Sequence, residues 1–579
     1  MNGSDLTDYQ QKILNYFKKS NHRVLLLYLT VGCGKTLTSL ACAREAIKQF
    51  PNTEIIILSP KSVQDEFKQN LELLNSFKSY SKSLKQSQIH MIAYNGNNSQ
   101  TKFEKIINSF NNKNKNYIFI IDELHLFMRG VIKVNLEEGE KTRNIGNCQN
   151  IFDMIKQIKN KRIIGLTGTP SAKFPFELVP FFNLENQNQK LFPETVEEFE
   201  YLYIDKEHNS FKNIQQLKQK LKGLVVYHEL KTNLKINSGI KGNELEEVEV
   251  EMSEEQYKQY IIDYYLELQE KSFIKHRNIY GVGYGMASTF HAKTFQDSIY
   301  YYDNDYLEQQ LTLAYQGKLT KNSKILKHII HKDKYEICKE IPINLLENVN
   351  YQKNTTNKLK SLNQNKIKID EIHCPKLIKM YNDTKNINGL CVFYFKFVES
   401  GVKIMEEVLK HNGITKFNFS QNSSQKYVIF TGNETADYKS KIKKIFNSPE
   451  NKYGKIIKYM ILSSCGAVGI TLKNVRYLGI GSVEFNYSMI RQIMGRVNRL
   501  GSHNDLKPEE QTLIQKIYLS IKNKKYYNVN YKYINKICYR TTYLYNEKGL
   551  CIERIIYQDS IYDDKINEEF RKILKEISI

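Results

Sequence analysis

Tryptophan is absent from this chain of 579 residues, whereas tyrosine occurs 40 times. Tyr, Lys, Asn and Ile all have A/T-heavy codons, so the bias points to an A+T-rich coding sequence. Long hydrophobic runs are also missing. The longer ones, such as Val24 to Leu29 and Tyr117 to Ile121, fall far short of the roughly 18–20 residues that cross a bilayer, so no membrane association is expected and both read as buried strands. The opening MNGSDLTDYQ has no charged start, apolar middle or small-residue cleavage site, so no export is expected. Nine cysteines are scattered from Cys33 to Cys551, with no pair of C-x-x-C arrangements. That excludes a disulfide framework and a zinc module, and it fits a reducing, cytoplasmic compartment in which Cys acts as a small buried hydrophobe.

What is present is charge. The formal excess of +23 favours a polyanionic partner, nucleic acid first, although the A+T bias alone also raises the lysine count. A composition of 41% hydrophobic and 25% charged residues argues against wholesale disorder, and the length predicts two to four domains.

Residues 1–230 alternate short β-rich runs with helical patterns, the signature of an α/β domain with a parallel sheet. Its strands are Val24 to Leu29, Glu54 to Leu58, Tyr117 to Ile121 and Arg162 to Leu166. Residues 371–525 repeat the rhythm at Cys391 to Phe395, Tyr427 to Phe430, Tyr459 to Leu462 and Tyr477 to Ile480. Between them, 231–370 reads as a mainly helical insert and linker. It holds a helical pattern at 253–271, the glycine-rich YGVGYGMAS at 280–288, a polar stretch at 351–370, and Lys318, Lys321, Lys324 and Lys327 at spacing three. Those lysines suit either a phosphate backbone or a solvated helix face. Residues 526–579 form an accessory tail that ends in the amphipathic INEEFRKILKEISI.

Three segments carry chemistry. VLLLYLTVGCGKTLTSLACAREAIKQF (24–50) is a strand, a turn holding Gly32, Cys33 and Gly34, then Lys35 and Thr36 opening a helix. Small residues let backbone N–H groups close around phosphates, the helix amino end favours negative charge, Lys35 reaches the β/γ oxygens, and the Thr36 hydroxyl ligates Mg²⁺. Leu29 stands where the longer form of this loop has its first glycine, so the match is to the short G-x-G-K-T form. NYIFIIDELHLF (116–127) sets Asp122 and Glu123 directly after a buried strand. There Asp122 would hold the Mg²⁺ and Glu123 would orient and deprotonate the attacking water. His125 beside them either couples this site to the rest of the molecule or packs against the sheet. In QIMGRVNR (492–499), Arg496 and Arg499 share one helical face.

In this order the segments resemble the superfamily 2 helicases and translocases. The resemblance implies two RecA-like domains, ATP and Mg²⁺ as cofactors, nucleic acid as partner, and a set of further roles. Gln10 in LTDYQQKIL would contact adenine; Ser59 and Pro60 in IILSPKSVQDEF would touch nucleic acid; Thr167 and Thr169 in LTGTP would link hydrolysis to strand binding. Gly469 and Thr471 in SSCGAVGITLKNVRYL would lie near both the backbone and the domain interface, Gly469 in the nucleotide site and Thr471 among the coupling residues, and Gln492, Arg496 and Arg499 would sense the γ-phosphate. Arginines of that kind are worth about 10³ to 10⁵ in rate. IRQIMGRVNRLGSHNDL (490–506), CPKLIKMYND (374–383), FVESGVKIMEEVL (397–409) and LKGLVVYHE (221–229) are more narrowly similar to the transcription-associated DNA-dependent ATPases of poxviruses. That group includes nucleoside triphosphatase I, the helicase-like subunit of the early transcription factor, and related products of large cytoplasmic DNA viruses and of yeast linear plasmids. It implies ATP-driven movement on DNA in the cytoplasm, with an RNA polymerase or another transcription factor as partner.

Three functions of different kinds compete. An ATPase motor needs every residue named above. A nucleic-acid-binding scaffold that has lost hydrolysis would show a missing lysine, carboxylate or arginine, and none is missing. A remodeller or restriction motor shares the engine, but no nuclease or methylase signature accompanies it.

Overall fold

The computed structural model describes residues 6–523 and 551–579, apart from 31–32, 78–83, 85, 110–114, 137–142, 172–173, 187–188, 206, 230–234, 238–244, 258, 261–291, 302–366, 420–425, 465–469 and 500. The chain divides into two compact units. Unit 1 comprises Met1–Thr232, Asn486–Met489 and Ile561–Ile579, and unit 2 comprises Asn233–Phe485 and Ile490–Ser560.

Unit 1 is built on β1 (Val24–Leu29), β2 (Thr53–Ser59), β3 (Ile89–Ala93), β4 (Asn116–Ile121) and β5 (Lys161–Thr167). The ribbon of β6 (Ile204–Asp205) and β7 (Ser210–Phe211) follows, and then β8 (Val225–His228). The six-stranded sheet runs β3-β2-β4-β5-β1-β8, and every pairing in it is parallel. β1 and β2 are buried along their whole length, which is why they read as continuous apolar runs: a parallel sheet has helices over both faces. The helices Asp8–Lys19 and Lys35–Gln49 supply part of that cover through Ile13, Leu14, Phe17, Leu40 and Ala43. The arrangement puts β4, β5 and β1 side by side, so their carboxyl ends share one edge of the sheet, where open α/β sheets bind ligands.

Unit 2 contains β9 (Lys235–Asn237), β10 (Glu246–Glu251), β11 (Leu390–Phe395), β12 (Thr415–Lys416), β13 (Lys426–Phe430), β14 (Tyr459–Ser463), β15 (Val475–Ile480) and β16 (Thr512–Ile521). The order is β10-β16-β15-β11-β14-β13-β12, with β9 also on β16, and all pairings are parallel. Its core absorbs the tyrosine surplus. Tyr427, Tyr459, Tyr477 and Tyr518 are buried, and their hydroxyls find partners, as buried phenols must. Tyr427 donates to Glu406 at 2.7 Å, Tyr518 to Asp383 at 2.6 Å, and Tyr477 pairs with Tyr518.

Both sheets match the expected α/β class. The segment expected to be a mainly helical insert differs in one respect: 231–370 contributes β9 and β10 to the second sheet. The pattern EEVEVE of β10 alternates charge with valine, which suits a sheet edge and carries no apolar run to betray it. Most of the helical pattern 253–271 and of the polar stretch 351–370 lies outside the described residues, as do all of 280–288 and Lys318, Lys321, Lys324 and Lys327. So do the tail residues up to 550. Beyond them runs one helix, Ile552–Glu576.

Candidate active site

The phosphate loop is shaped by its neighbours. Gly34 stands in the left-handed region at φ 64° and caps the helix Lys35–Gln49. A β-carbon there would also meet Gln10 Nε2 at 2.7 Å and displace that amide, but it is the left-handed backbone that calls for glycine. No acidic residue occupies the first turn of that helix, which leaves its N–H groups and dipole open to an anion. Cys33 is buried and its N–H donates to the Thr30 carbonyl at 3.2 Å. The Tyr9 hydroxyl donates to the Cys33 carbonyl, and the Tyr9 ring stacks on His228 at 3.9 Å. Gln10 is buried, with Nε2 donating to Thr38 Oγ1 at 3.2 Å and Oε1 accepting from the Thr7 N–H at 3.0 Å. The glutamine expected to read adenine thus also ties the first helix to the phosphate-loop helix. Gly32 lies outside the described residues.

Two strands away, β4 delivers the carboxylates. The Asp122 N–H donates to the Leu58 carbonyl at 2.8 Å, which continues the sheet register one residue past the strand. Asp122 itself is buried. Burial and the adjacent Glu123 push its carboxyl up to about 7, while Lys35 pulls it back. The charge of Lys35 is thus felt at this carboxylate, which fits a loop and a strand end that serve one site. Glu123 adopts φ 47°, a left-handed conformation that strains a side-chain-bearing residue. Such strain persists where the surroundings impose it and is common at functional sites.

His125 is fully buried, and burial holds it below its ordinary value, with Glu123 opposing. Its Nδ1 lies 3.6 Å from Glu123 Oε2 and 3.1 Å from Thr167 Oγ1 at the end of β5. The same Thr167 oxygen accepts the Thr169 N–H at 3.0 Å. A continuous line of contacts therefore joins Glu123 to the TGTP segment. Thr36 is buried at the start of its helix. A hydroxyl there and the Asp122 carboxylate, whose pKa is raised by burial and by Glu123, are oxygen donors of the kind a hard divalent cation takes. Among the described residues no group of three His, Cys, Asp or Glu could hold a metal unaided, so the remaining ligands would be phosphate oxygens and water.

In unit 2, Gln492 and Arg496 lie on the helix Tyr487–Val497, with Arg499 just beyond it. Arg499 Nη1 donates to Thr471 Oγ1 and its Nε to the Gly495 carbonyl at 3.1 Å, and the Leu472 N–H donates to the Arg496 carbonyl at 2.9 Å. The segments around Thr471 and Arg499, far apart in sequence, are thus one structure. Ser502 and His503, both buried, secure it. His503 Nε2 bonds the Val475 carbonyl at 2.7 Å, so Nδ1 is left to accept from Ser502 Oγ at 2.7 Å. The Ser502 oxygen also takes the Arg499 N–H at 3.3 Å. Gly469 lies outside the described residues.

Two family models match the chain: "Type III restriction enzyme, res subunit" over residues 4–172 and "Helicase conserved C-terminal domain" over 372–501. The chain belongs to the superfamily 2 helicases. The first match spans the Gln10, phosphate-loop, Asp122–His125 and Thr167–Thr169 segments, and the second spans Gly469 to Arg499. The two parallel-sheet units are its RecA-like domains. Among relatives, a "Termination factor NPH-I homolog" of African swine fever virus is 26% identical over 96% of this chain and 76% of its own length. A "Nucleoside triphosphatase I" of Melanoplus sanguinipes entomopoxvirus is 25% identical over 87% and 72%. Its namesake in Heliothis armigera entomopoxvirus is 26% identical over 90% and 74%.

Within this helicase the structure adds residues that motif reading passed over. Tyr94 is buried and its hydroxyl donates to the Asp122 carbonyl at 3.3 Å. His228 stacks on Tyr9, while its carbonyl accepts the Thr30 N–H at 3.1 Å. Neither belongs to a motif; the only sign of His228 was the stretch LKGLVVYHE. Ser59 and Pro60, expected to touch nucleic acid, are buried, while Lys61 beside them is exposed.

Proposed function

We propose that this helicase is a nucleic-acid-dependent ATPase that couples ATP hydrolysis to movement along DNA, in the transcription of a cytoplasmic genetic element. The observation that supports the reading is that a strained Glu123 at the end of β4 sets its carboxylate 3.6 Å from His125, which in turn meets Thr167, beside an Asp122 carboxyl that feels the charge of Lys35. Lys35 binds the β/γ oxygens. Thr36 and Asp122 fit a magnesium ion, which would supply charge neutralisation of the phosphates. Glu123 takes the proton from the attacking water, and Gln492, Arg496 and Arg499 take the phosphate-sensing role that their motif implies. The names of the viral relatives, a termination factor homologue and nucleoside triphosphatases, support transcription and triphosphate hydrolysis. Binding to DNA would rest on backbone phosphates, and so be salt-sensitive and largely indifferent to sequence.

The test is ATP turnover by the purified full chain with no nucleic acid, single-stranded DNA, duplex DNA and RNA, beside Glu123→Gln. Stimulation by DNA that is lost in the variant, by at least about 100-fold as for removal of a general base, supports the reading. Stimulation by RNA alone reassigns the track, and a flat background rate throughout overturns the motor.

A further inference from the structure

The accessory tail ends in a helix whose second half belongs to unit 1, and there it meets the residue that directly follows the TGTP segment. Ser171 is fully buried. Its hydroxyl donates to Asn567 Oδ1, and its carbonyl accepts Arg571 Nη1 at 3.1 Å. Arg571 in turn gives Nη2 to Asp564 Oδ1 at 2.8 Å. Asn567, Arg571 and Asp564 are themselves buried, at 1%, 8% and 3% exposure.

Docking alone does not call for this network. Ile566, Phe570, Ile573 and Leu574 are already buried on the same helix, and Phe570 stacks on Phe211 at 5.7 Å. Burying an ion pair seldom stabilises a fold more than apolar packing of the same volume, and the best-attested use of such a pair is to select one arrangement. The arrangement selected here is that of the backbone at Ser171. From there the chain leads back two residues to Thr169, whose N–H meets Thr167 Oγ1, and contacts continue to His125 and Glu123.

We propose that Asn567 and Arg571 are positioning residues for the TGTP segment, so that the C-terminal helix sets how strongly nucleic acid stimulates hydrolysis. The proposal rests on the ATPase reading above. Arg571 holds the Ser171 carbonyl with one nitrogen while Asp564 fixes its other, a two-handed contact that a lysine ammonium cannot reproduce in the same geometry. Asn567 holds the hydroxyl. Released from both, the segment loses the single conformation in which the Thr169 N–H and His125 meet at Thr167.

The experiment measures kcat and KM for ATP with and without single-stranded and duplex DNA in the full chain, for wild type, Asn567→Ala, Arg571→Lys and Ser171→Ala. Lys218→Ala is the control, since it removes only a surface contact of the same helix with Glu576, at 2.6 Å. Couplings through such networks reach roughly 2- to 30-fold. Asn567→Ala and Arg571→Lys are therefore expected to lower the stimulation ratio by about tenfold, with basal kcat and the KM for ATP kept and the control like wild type. Ser171→Ala, which deletes one hydroxyl and leaves the folded backbone intact, should reproduce the Asn567→Ala defect, and the two should not add when combined. Basal and stimulated rates falling together, stimulation unchanged in all three variants, or additive defects would each overturn the proposal. A wild type that nucleic acid does not stimulate refutes the ATPase-motor reading instead.

Discussion

Glu123 carries two separable burdens, the proposed chemical one in its carboxylate and a conformational one in its backbone at φ 47°. Comparing Glu123→Ala with Glu123→Gly isolates the second. Both variants delete the carboxylate, and both relieve the repulsion that helps push Asp122 up to about 7, so those effects cancel between them. What remains is the left-handed backbone, which costs an L-residue about 1–2 kcal/mol, against the greater freedom that glycine loses on folding, about 0.5–1 kcal/mol. The glycine variant should therefore be the more stable by about 0.5–1 kcal/mol. In a unit of this size that raises its melting midpoint by about 2–4 °C per kcal/mol. Thermal or urea unfolding of the full chain reads the difference, and both proteins should lose ATP turnover alike. If alanine proves as stable as glycine, the strain argument fails. If the glycine variant keeps its turnover, Glu123 is not the base.

Other parts of the molecule give equally direct tests. Lys376 and Glu553 form an ion pair at 2.7 Å that is almost fully buried inside unit 2, where Glu553 also accepts the Ser520 N–H at 2.8 Å. Lys376→Met should destabilise by about 3–5 kcal/mol because it strands the carboxylate, while Lys376→Met with Glu553→Gln, which removes the charge and keeps an acceptor for the Ser520 N–H, should recover much of that loss; a mild single variant in chemical denaturation would contradict this. The pH dependence of unit 1 follows from two opposed groups. Folded Asp122 keeps a proton up to about 7 that the unfolded chain releases near its ordinary value, so Asp122 costs stability as pH rises through that window. Folded His125 refuses a proton that the unfolded chain takes below its ordinary value near 6.5, so it costs stability as pH falls. Just below the ordinary histidine value near 6.5 the two therefore oppose each other. His125→Gln should make stability fall with rising pH there, and Asp122→Asn should make it rise, each by at most about 1.4 kcal/mol per pH unit relative to wild type in denaturant titrations.

The strands that carry the site were legible because burial on both faces leaves an unbroken apolar run, as in VLLLYL and YIFII. Less buried strands were not. IHMIA of β3 is only partly covered, VVYH of β8 is short and at an edge, and TLIQKIYLSI of β16 alternates over its first half. The candidate catalytic segments stood out for a chemical reason: phosphate binding and water activation would restrict residue types so severely that Gly34, Lys35, Asp122 and Glu123 are conspicuous in sequence. Contacts that position those residues obey no such restriction. Nothing in the sequence says that Tyr9 stacks on His228 or that Arg571 reaches Ser171, because a hydrogen bond to a backbone carbonyl asks only for a donor in the right place. The tail showed its amphipathic pattern and hid its target for the same reason. Residues that do chemistry are therefore readable one at a time, whereas residues that aim them become visible only when the fold closes. The variants that best divide this protein's parts are thus those at Asn567 and Arg571: they leave every motif intact and remove only the aim.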